Sequence, residues 1–101
     1  MHIDPADLAI VLNILRSHLP RYEVWAFGSR VHGRNLKSFS DLDLMIVADE
    51  LLDPLLFINL KDAFSESDIP YRVHLLNWFT VGGRLRRFIE EEHEVIQRGE
   101  G

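Results

Sequence analysis

The hydrophobic residues of this chain alternate between helical and strand-like spacing. One stripe with steps of three and four residues follows Asp4-Pro5 and stops before Pro20, and a second follows Asp53-Pro54 and runs to about Ser65. In both places an aspartate can cap the helix and a proline suits the first helical position. The pattern therefore predicts two long helices, one in each half of the chain.

Three short segments rich in aromatic and β-branched residues predict strands at 22–27, 42–48 and 71–76. The segment 42–48 is apolar on both faces beyond its first residues, which is typical of a central strand. After Thr80, apolar residues at helical spacing predict a final helix that closes near Gly99. This order predicts an α/β (α+β) protein with a small sheet, and 101 residues predict one domain spanning 1–101.

Composition excludes several classes of function. The absence of cysteine excludes disulfides, zinc–thiolate sites and thiol catalysis. The apolar runs are too short for a bilayer span and the N-terminus lacks a secretory signal, so a cytoplasmic protein without membrane contact is expected. A net charge of −5 argues against general nucleic-acid binding, although it does not exclude a single bound nucleotide.

The candidate chemistry lies in two short motifs, Gly28-Ser29-Arg30 and Asp41-Leu42-Asp43, with eleven residues between Ser29 and Asp41. A glycine allows close approach of the backbone to a ligand, the serine adds a hydroxyl, and a helix starting at the arginine would favour a phosphate. Side chains at i and i+2 of a strand share a face, so the two aspartates can converge on one Mg²⁺ ion, with Mn²⁺ as a possible substitute.

Each motif alone is weak evidence, because Gly-Ser is usually a turn and Asp-x-Asp is usually a solvated pair. Their order along the chain is more specific: a strand, Gly-Ser, a basic interval, Asp-x-Asp and an apolar strand. The interval carries four residues that predict a positive mouth on an acidic protein: Arg30, His32, Arg34 and Lys37. The combination indicates phosphoryl or nucleotidyl transfer from a nucleoside triphosphate.

The motifs Gly-Ser-Arg-Val-His-Gly and Ser-Asp-Leu-Asp-Leu resemble those of minimal nucleotidyltransferases of the MNT type, in the DNA polymerase β-like superfamily. The resemblance covers essentially the whole chain. It implies a small mixed sheet flanked by helices, with Gly28, Ser29 and Arg30 binding the nucleotide and Asp41 and Asp43 as catalytic, metal-binding residues. It further implies ATP as substrate, a HEPN-domain toxin as partner, and AMP transfer to a tyrosine that silences that toxin.

The chain departs from the family pattern in two places. The spacing between Ser29 and Asp41 is one residue longer than the typical ten, which a loop absorbs easily. The third family carboxylate, on the next strand, is replaced by His74, and Asn77 stands where a further aspartate is common. His74 is open to three interpretations: a working general base, a mark of a weakened enzyme, or a polar residue whose role another carboxylate has taken.

Two functional hypotheses follow. The first is a metal-dependent adenylyltransferase that modifies a HEPN partner, and the second is a catalytically impaired protein of the same fold that neutralises its partner by binding alone. A partner would be accommodated by apolar surface predicted at five positions: Ile10, Ile14, Leu55, Phe57 and Ile58. His93, within a run of glutamates, is predicted to lie on a solvated helix face.

Overall fold

The computed structural model describes residues 1–99 of the chain as a sheet flanked by helices. Its elements, in chain order, are α1 (Pro5–His18), β1 (Glu23–Phe27), α2 (Ser29–His32), β2 (Leu42–Val47), α3 (Pro54–Ser65), β3 (Val73–Asn77), a 3₁₀ turn (Trp78–Thr80), α4 (Gly83–Glu91) and β4 (His93–Gln97). The predicted caps are present: Asp4 accepts a hydrogen bond from the backbone N–H of Ala6, and Asp53 from that of Leu55.

The four strands form a mixed sheet in the order β3-β2-β1-β4. β1 is antiparallel to both of its neighbours, and β2 is parallel to β3. The parallel pair is joined through α3, which crosses one face of the sheet. The register aligns one row of residues across all four strands, in the order His74, Asp43, Phe27 and His93.

The two faces of the sheet pack against different helices. On the first face, β1 and β2 bury Val24, Leu44 and Ile46 in the main core with residues of α1 and α3. On the second face, Met45 packs with Phe27 and with Ile89 of α4 in a smaller cluster. Asp43 precedes Met45 by two residues, so its side chain is on the second face.

The C-terminal part of the chain corrects the prediction of one continuous helix to Gly99. The helix ends at Glu91, and the segment after it forms β4, which pairs with the free edge of β1. The apolar pair Val95-Ile96 is compatible with either structure, and pairing with β1 decides between them because it satisfies the backbone groups of an edge strand.

His93 consequently lies on a strand and not on a solvated helix face. Its imidazole stacks on the Trp25 ring, with ring centroids 3.9 Å apart, and its Nδ1 lies 2.8 Å from the carbonyl oxygen of Ile89. The glutamates on either side of His93 in the sequence do not indicate this contact, because it forms only when β4 lies beside β1.

The predicted apolar surface is only partly present. Leu55 and Ile58 on α3 are exposed, whereas Ile14 and Phe57 pack against the main core and Ile10 is half-buried. Further exposed apolar side chains are Phe39, Leu51, Phe79, Leu85 and Phe88. Within residues 1–99, no helix has the length and apolar character needed to cross a membrane.

Candidate active site

The Gly-Ser turn is positioned by β1, which delivers the chain to Gly28 directly beside β2. Gly28 has a φ of +79°, a backbone conformation that glycine adopts without strain. A β-carbon at this position would collide with Oδ2 of Asp43. Phe27, the residue before the turn, is the register partner of Asp43. The two motifs that are distant in the sequence are therefore in contact in the structure.

The two aspartates lie on the same face at the start of β2. Leu42, between them, is buried in the main core, and this orientation directs Asp41 and Asp43 to the opposite face. Their side chains are 42% and 23% exposed, so solvent and ligands can reach both carboxylates. The structure thus brings together the residues expected to bind a metal.

Each aspartate faces a side chain from β3 or from the residue just before β3. His74 is the register partner of Asp43, and its Nδ1 lies 3.3 Å from Oδ1 of that carboxylate. Arg72 lies just before β3, where its Nε is 3.8 Å from Oδ2 of Asp41. The parallel strand therefore presents an imidazole and a guanidinium where the family resemblance implies a carboxylate.

The pKa of Asp43 is raised above its ordinary value of 3.8. The main cause is burial, which disfavours the charged carboxylate, and the negative charge of Asp41 acts in the same direction. The hydrogen bond and the charge interaction with His74 oppose the shift without cancelling it. A cation bound at this carboxylate would relieve the unfavourable burial of its charge.

The Arg30 side chain is engaged by contacts within the protein, and its expected role in nucleotide binding stays a prediction. The guanidinium is buried and donates hydrogen bonds to the carbonyl oxygens of Ser40 (2.8 Å), Ser38 (3.0 Å) and His2 (3.1 Å). It also stacks on the ring of Tyr71, 3.6 Å from the centroid. Arg30 therefore holds the loop before Asp41 against the N-terminus and the approach to β3.

The basic interval forms a smaller positive mouth than the sequence predicts. Arg30 is buried, and Arg34 forms an ion pair with Glu92. The Nη2 atom of Arg34 lies 2.8 and 3.0 Å from the two carboxylate oxygens of Glu92. Glu92 comes from the junction between α4 and β4, which is remote in sequence. This ion pair neutralises one of the four basic side chains expected to attract an anion.

Sequence reasoning missed two residues around the site, Arg72 and Glu92. Arg72 could have been found, because it precedes His74 by two residues and therefore shares its face on an extended chain. Glu92 gave no local signal, since its partner Arg34 is 58 residues away.

The donor set suits a metal ion that is shared with a substrate. Within residues 1–99, no group of three or more histidine, aspartate or glutamate side chains converges into a ready metal site. Mg²⁺ commonly takes one or two protein carboxylates and completes its shell with water and substrate phosphates. Asp41 and Asp43 fit that requirement, and the site is not a closed, all-protein metal cage.

The comparison with protein families supports the nucleotidyl-transfer chemistry that the motifs indicate. The model of the family described as "Nucleotidyltransferase domain" matches residues 8–96. The chain is also 50% identical, over 100 residues, to a probable protein adenylyltransferase MntA of Haemophilus influenzae. That match covers 99% of this chain and 87% of the relative.

Two solved structures share the fold at low sequence identity. A crystal structure of a toxin–antitoxin with AMP-PNP matches with a TM-score of 0.72 and 19% identity, over 92% of this chain and 74% of the other. A tri-AMPylated Shewanella oneidensis HEPN toxin in complex with MNT antitoxin matches with a TM-score of 0.65 and 19% identity, over 92% and 71%. These matches confirm the predicted α/β (α+β) fold with a small mixed sheet.

The family match spans the Gly-Ser turn and both aspartates, and it agrees with the high identity to one relative over nearly the full chain. The protein belongs to the nucleotidyltransferase domain family.

Proposed function

We propose that this protein is a metal-dependent protein adenylyltransferase that transfers AMP from ATP to a tyrosine hydroxyl of a HEPN-domain toxin, and so acts as its antitoxin. The observation that carries the proposal is the packing of the Gly28 turn against Asp43, on the face that also carries Asp41. This contact supports a role of the turn in binding phosphate and of the two carboxylates in binding a metal ion. The expected compartment is the cytoplasm, where ATP is available.

The likeness to named proteins supports the acceptor and the partner. The relative with 50% identity is described as a probable protein adenylyltransferase, and one structural neighbour is an MNT antitoxin in complex with a tri-AMPylated HEPN toxin. Another neighbour carries AMP-PNP, an analogue of ATP. Leu55 and Ile58, the exposed part of the predicted apolar surface, remain available for a partner.

In the proposed reaction, the tyrosine oxygen forms a bond to the α-phosphorus of ATP while the bond from that phosphorus to the bridging oxygen of pyrophosphate breaks. The Gly28-Ser29 turn would lie against the phosphates, because glycine permits close approach and Ser29 supplies a hydroxyl donor. Asp41 and Asp43 would hold a divalent ion, Mg²⁺ or Mn²⁺, which would supply charge neutralisation of the triphosphate and of the departing pyrophosphate. The tyrosine hydroxyl gives up its proton to water as the new ester forms, and pyrophosphate leaves with the electron pair of the broken bond.

The contacts made by Arg72 and His74 favour a second candidate function. A cation beside Asp41 and an imidazole beside Asp43 reduce the negative charge that would attract Mg²⁺, relative to a site with three carboxylates. In this alternative, the protein keeps the fold but neutralises its HEPN partner by binding alone.

One experiment separates the two functions. The protein is mixed with its HEPN-domain genomic neighbour, ATP and either Mg²⁺ or Mn²⁺, and the partner is weighed by intact-protein mass spectrometry. An AMP-sized increment that maps to a tyrosine, and that is lost in Asp41→Ala, is the expected result. A tight complex without any increment in either metal would contradict the enzymatic proposal and support neutralisation by binding.

A further inference from the structure

The Asp43–His74 pair has the geometry of two ligands that can share one metal ion. The side chains face each other from adjacent parallel strands, in register, with 3.3 Å between Oδ1 and Nδ1. Two neighbouring ligands of an octahedral ion with bonds of about 2.1 Å are separated by about 3.0 Å, and those of a tetrahedral ion by about 3.4 Å. The observed separation lies between these values, so a metal ion can replace the bridging hydrogen with only a small movement of either side chain.

His74 is also accessible, which distinguishes it from a histidine buried for structural reasons. Its side chain is 55% exposed on the face that carries both aspartates. The Nδ1 atoms of two other histidines are already engaged: that of His93 by the carbonyl oxygens of Ile89 and Glu90, and that of His32 by the backbone N–H of Arg34.

The ligand type determines which metals the pair accepts. Mg²⁺ takes oxygen ligands almost exclusively, whereas imidazole nitrogen suits Zn²⁺, Fe²⁺ and Ni²⁺ and is accepted by the transition metal Mn²⁺ more readily than by Mg²⁺. Metal binding through Nδ1 requires the tautomer that carries its hydrogen on Nε2, and the exposed ring can adopt it. Replacement of a carboxylate by His74 therefore shifts the preference of the site from Mg²⁺ toward transition-metal ions and need not eliminate the metal site.

We propose that Asp43 and His74 together bind a divalent transition-metal ion of the Mn²⁺ type in preference to Mg²⁺. The inference names the metal of the proposed adenylyltransferase, and it rests on that function only for the role of the ion beside the triphosphate. Asp41, on the same face, would join the pair only after its side chain moves, because within residues 1–99 no three such side chains converge into a metal site. The metal preference of this protein would thus differ from that of a site formed by three carboxylates.

The test is a titration of the isotope-labelled protein with MnCl₂, without ATP or partner. Paramagnetic broadening of the histidine ring signals in NMR spectra locates the ion, and electron paramagnetic resonance of free Mn²⁺ gives the affinity. We expect the His74 signals to broaden first among the five histidines of the chain. His74→Ala should weaken Mn²⁺ binding by at least about tenfold, since loss of even an outer-shell partner commonly costs 10–100-fold.

Two variants make the test specific. His2→Ala removes an equivalent ring from an exposed position and should leave the Mn²⁺ affinity unchanged. His74→Asp restores a carboxylate and should reduce the ratio of Mn²⁺ to Mg²⁺ affinity by at least about tenfold. The amide spectrum of each variant verifies that it is folded before the titration is interpreted.

Equal Mn²⁺ affinities of the native protein and His74→Ala would overturn the inference, as would an unchanged ratio of Mn²⁺ to Mg²⁺ affinity in His74→Asp. Asp43 and His74 would then be only a hydrogen-bonded pair. Because binding is measured without ATP, the result is independent of AMP transfer. Binding that depends on His74, without transfer to the partner, would refute only the proposed function. AMP transfer together with metal binding that is unchanged in His74→Ala would refute only the metal assignment.

Discussion

At the residue scale, Arg30 is a buried cation that no carboxylate neutralises within residues 1–99. Its charge is stabilised by three backbone carbonyl oxygens and by the ring of Tyr71. Two of those carbonyls, on Ser38 and Ser40, are in the loop that leads to Asp41. Arg30 thus positions Asp41 and Asp43 indirectly, by fixing the chain that precedes them.

We predict that Arg30→Ala lowers the free energy of unfolding by about 3 kcal/mol or more, because three carbonyl groups lose charged donors. Urea denaturation measures this change. Phe39→Ser alters the same loop at a side chain that is 76% exposed, and it should change stability by no more than about 0.5 kcal/mol. Similar effects of the two substitutions would show that the Arg30 contacts do not hold the loop.

The second prediction concerns the turn at Gly28. Gly28→Ser introduces a β-carbon at positive φ against the Asp43 carboxylate, so we expect a loss of about 1–3 kcal/mol of stability and loss of AMP transfer. Gly82→Ser is the matched control, because Gly82 has ordinary backbone geometry and open space around it. Unfolding and partner mass are measured for both, and an active Gly28→Ser protein would contradict the assigned role of the turn.

The third prediction follows from the raised pKa of Asp43. In the folded protein the charged form is disfavoured by burial, so stability falls as the pH rises from 3.8 through the raised pKa. Asp43→Asn removes this ionisation and should raise the midpoint of thermal unfolding at pH 7 in metal-free buffer, while it abolishes transfer. The difference in unfolding midpoint between Asp43→Asn and the native protein should vanish below pH 3.8. Asp41→Asn, at a more exposed carboxylate, should change the midpoint less.

At the element scale, β4 is the part of the fold that hydrophobic periodicity assigned incorrectly. It completes the sheet at the edge of β1, and its Gln97 side chain donates hydrogen bonds to the carbonyl oxygens of Leu19 (2.7 Å) and Tyr22 (2.9 Å). These carbonyls belong to the segment between α1 and β1. The side-chain amide of Gln97 therefore links β4 to the segment between α1 and β1.

We predict that Gln97→Ala destabilises the protein by about 1–3 kcal/mol, because two carbonyl groups lose their donor. The neighbouring Arg98→Ala is the control: its side chain is 80% exposed and its nearest carboxylate contact, with Glu23, is 3.8 Å long. That substitution should cost less than about 1 kcal/mol. Chemical denaturation compares the two, and a Gln97→Ala protein as stable as Arg98→Ala would exclude a structural role for the amide.

At the scale of the whole molecule, the net charge favours the binding of a single nucleotide over the binding of a nucleic-acid polymer. The net charge is −5, and the structure engages Arg30 and Arg34 in contacts within the protein. Polymer binding needs many free cations to neutralise phosphates, whereas one triphosphate can be bound by a turn and a metal. A single domain spanning 1–101 remains a prediction at this scale.

We therefore predict no saturable binding of a fluorescent single-stranded RNA at protein concentrations up to about 10 µM in physiological salt, measured by anisotropy. A labelled ATP analogue with Mn²⁺ serves as the positive comparison in the same buffer. Saturable RNA binding whose affinity falls steeply with added salt would contradict this prediction.

Much of the site could be predicted from sequence because its signals are local. Gly28, Asp41 and Asp43 belong to short motifs whose chemistry follows from residue type and from the two-residue period of a strand. The caps at Asp4 and Asp53 are equally local, since each aspartate bonds to an N–H two residues away. The inward direction of Arg30 could not be predicted, because the carbonyls that bind it become neighbours only after folding.

The sequence by itself determined the starts of the two long helices, the strands β1, β2 and β3, and the combination of a glycine turn with two carboxylates. Tertiary structure alone decided that β4 is a strand, that His93 stacks on Trp25, and that Arg34 pairs with Glu92. It also placed His74 and Asp43 in register, 3.3 Å apart. The physical reason is distance along the chain: caps and periodicity act within a few residues, whereas strand pairing and ion pairs join residues tens of positions apart.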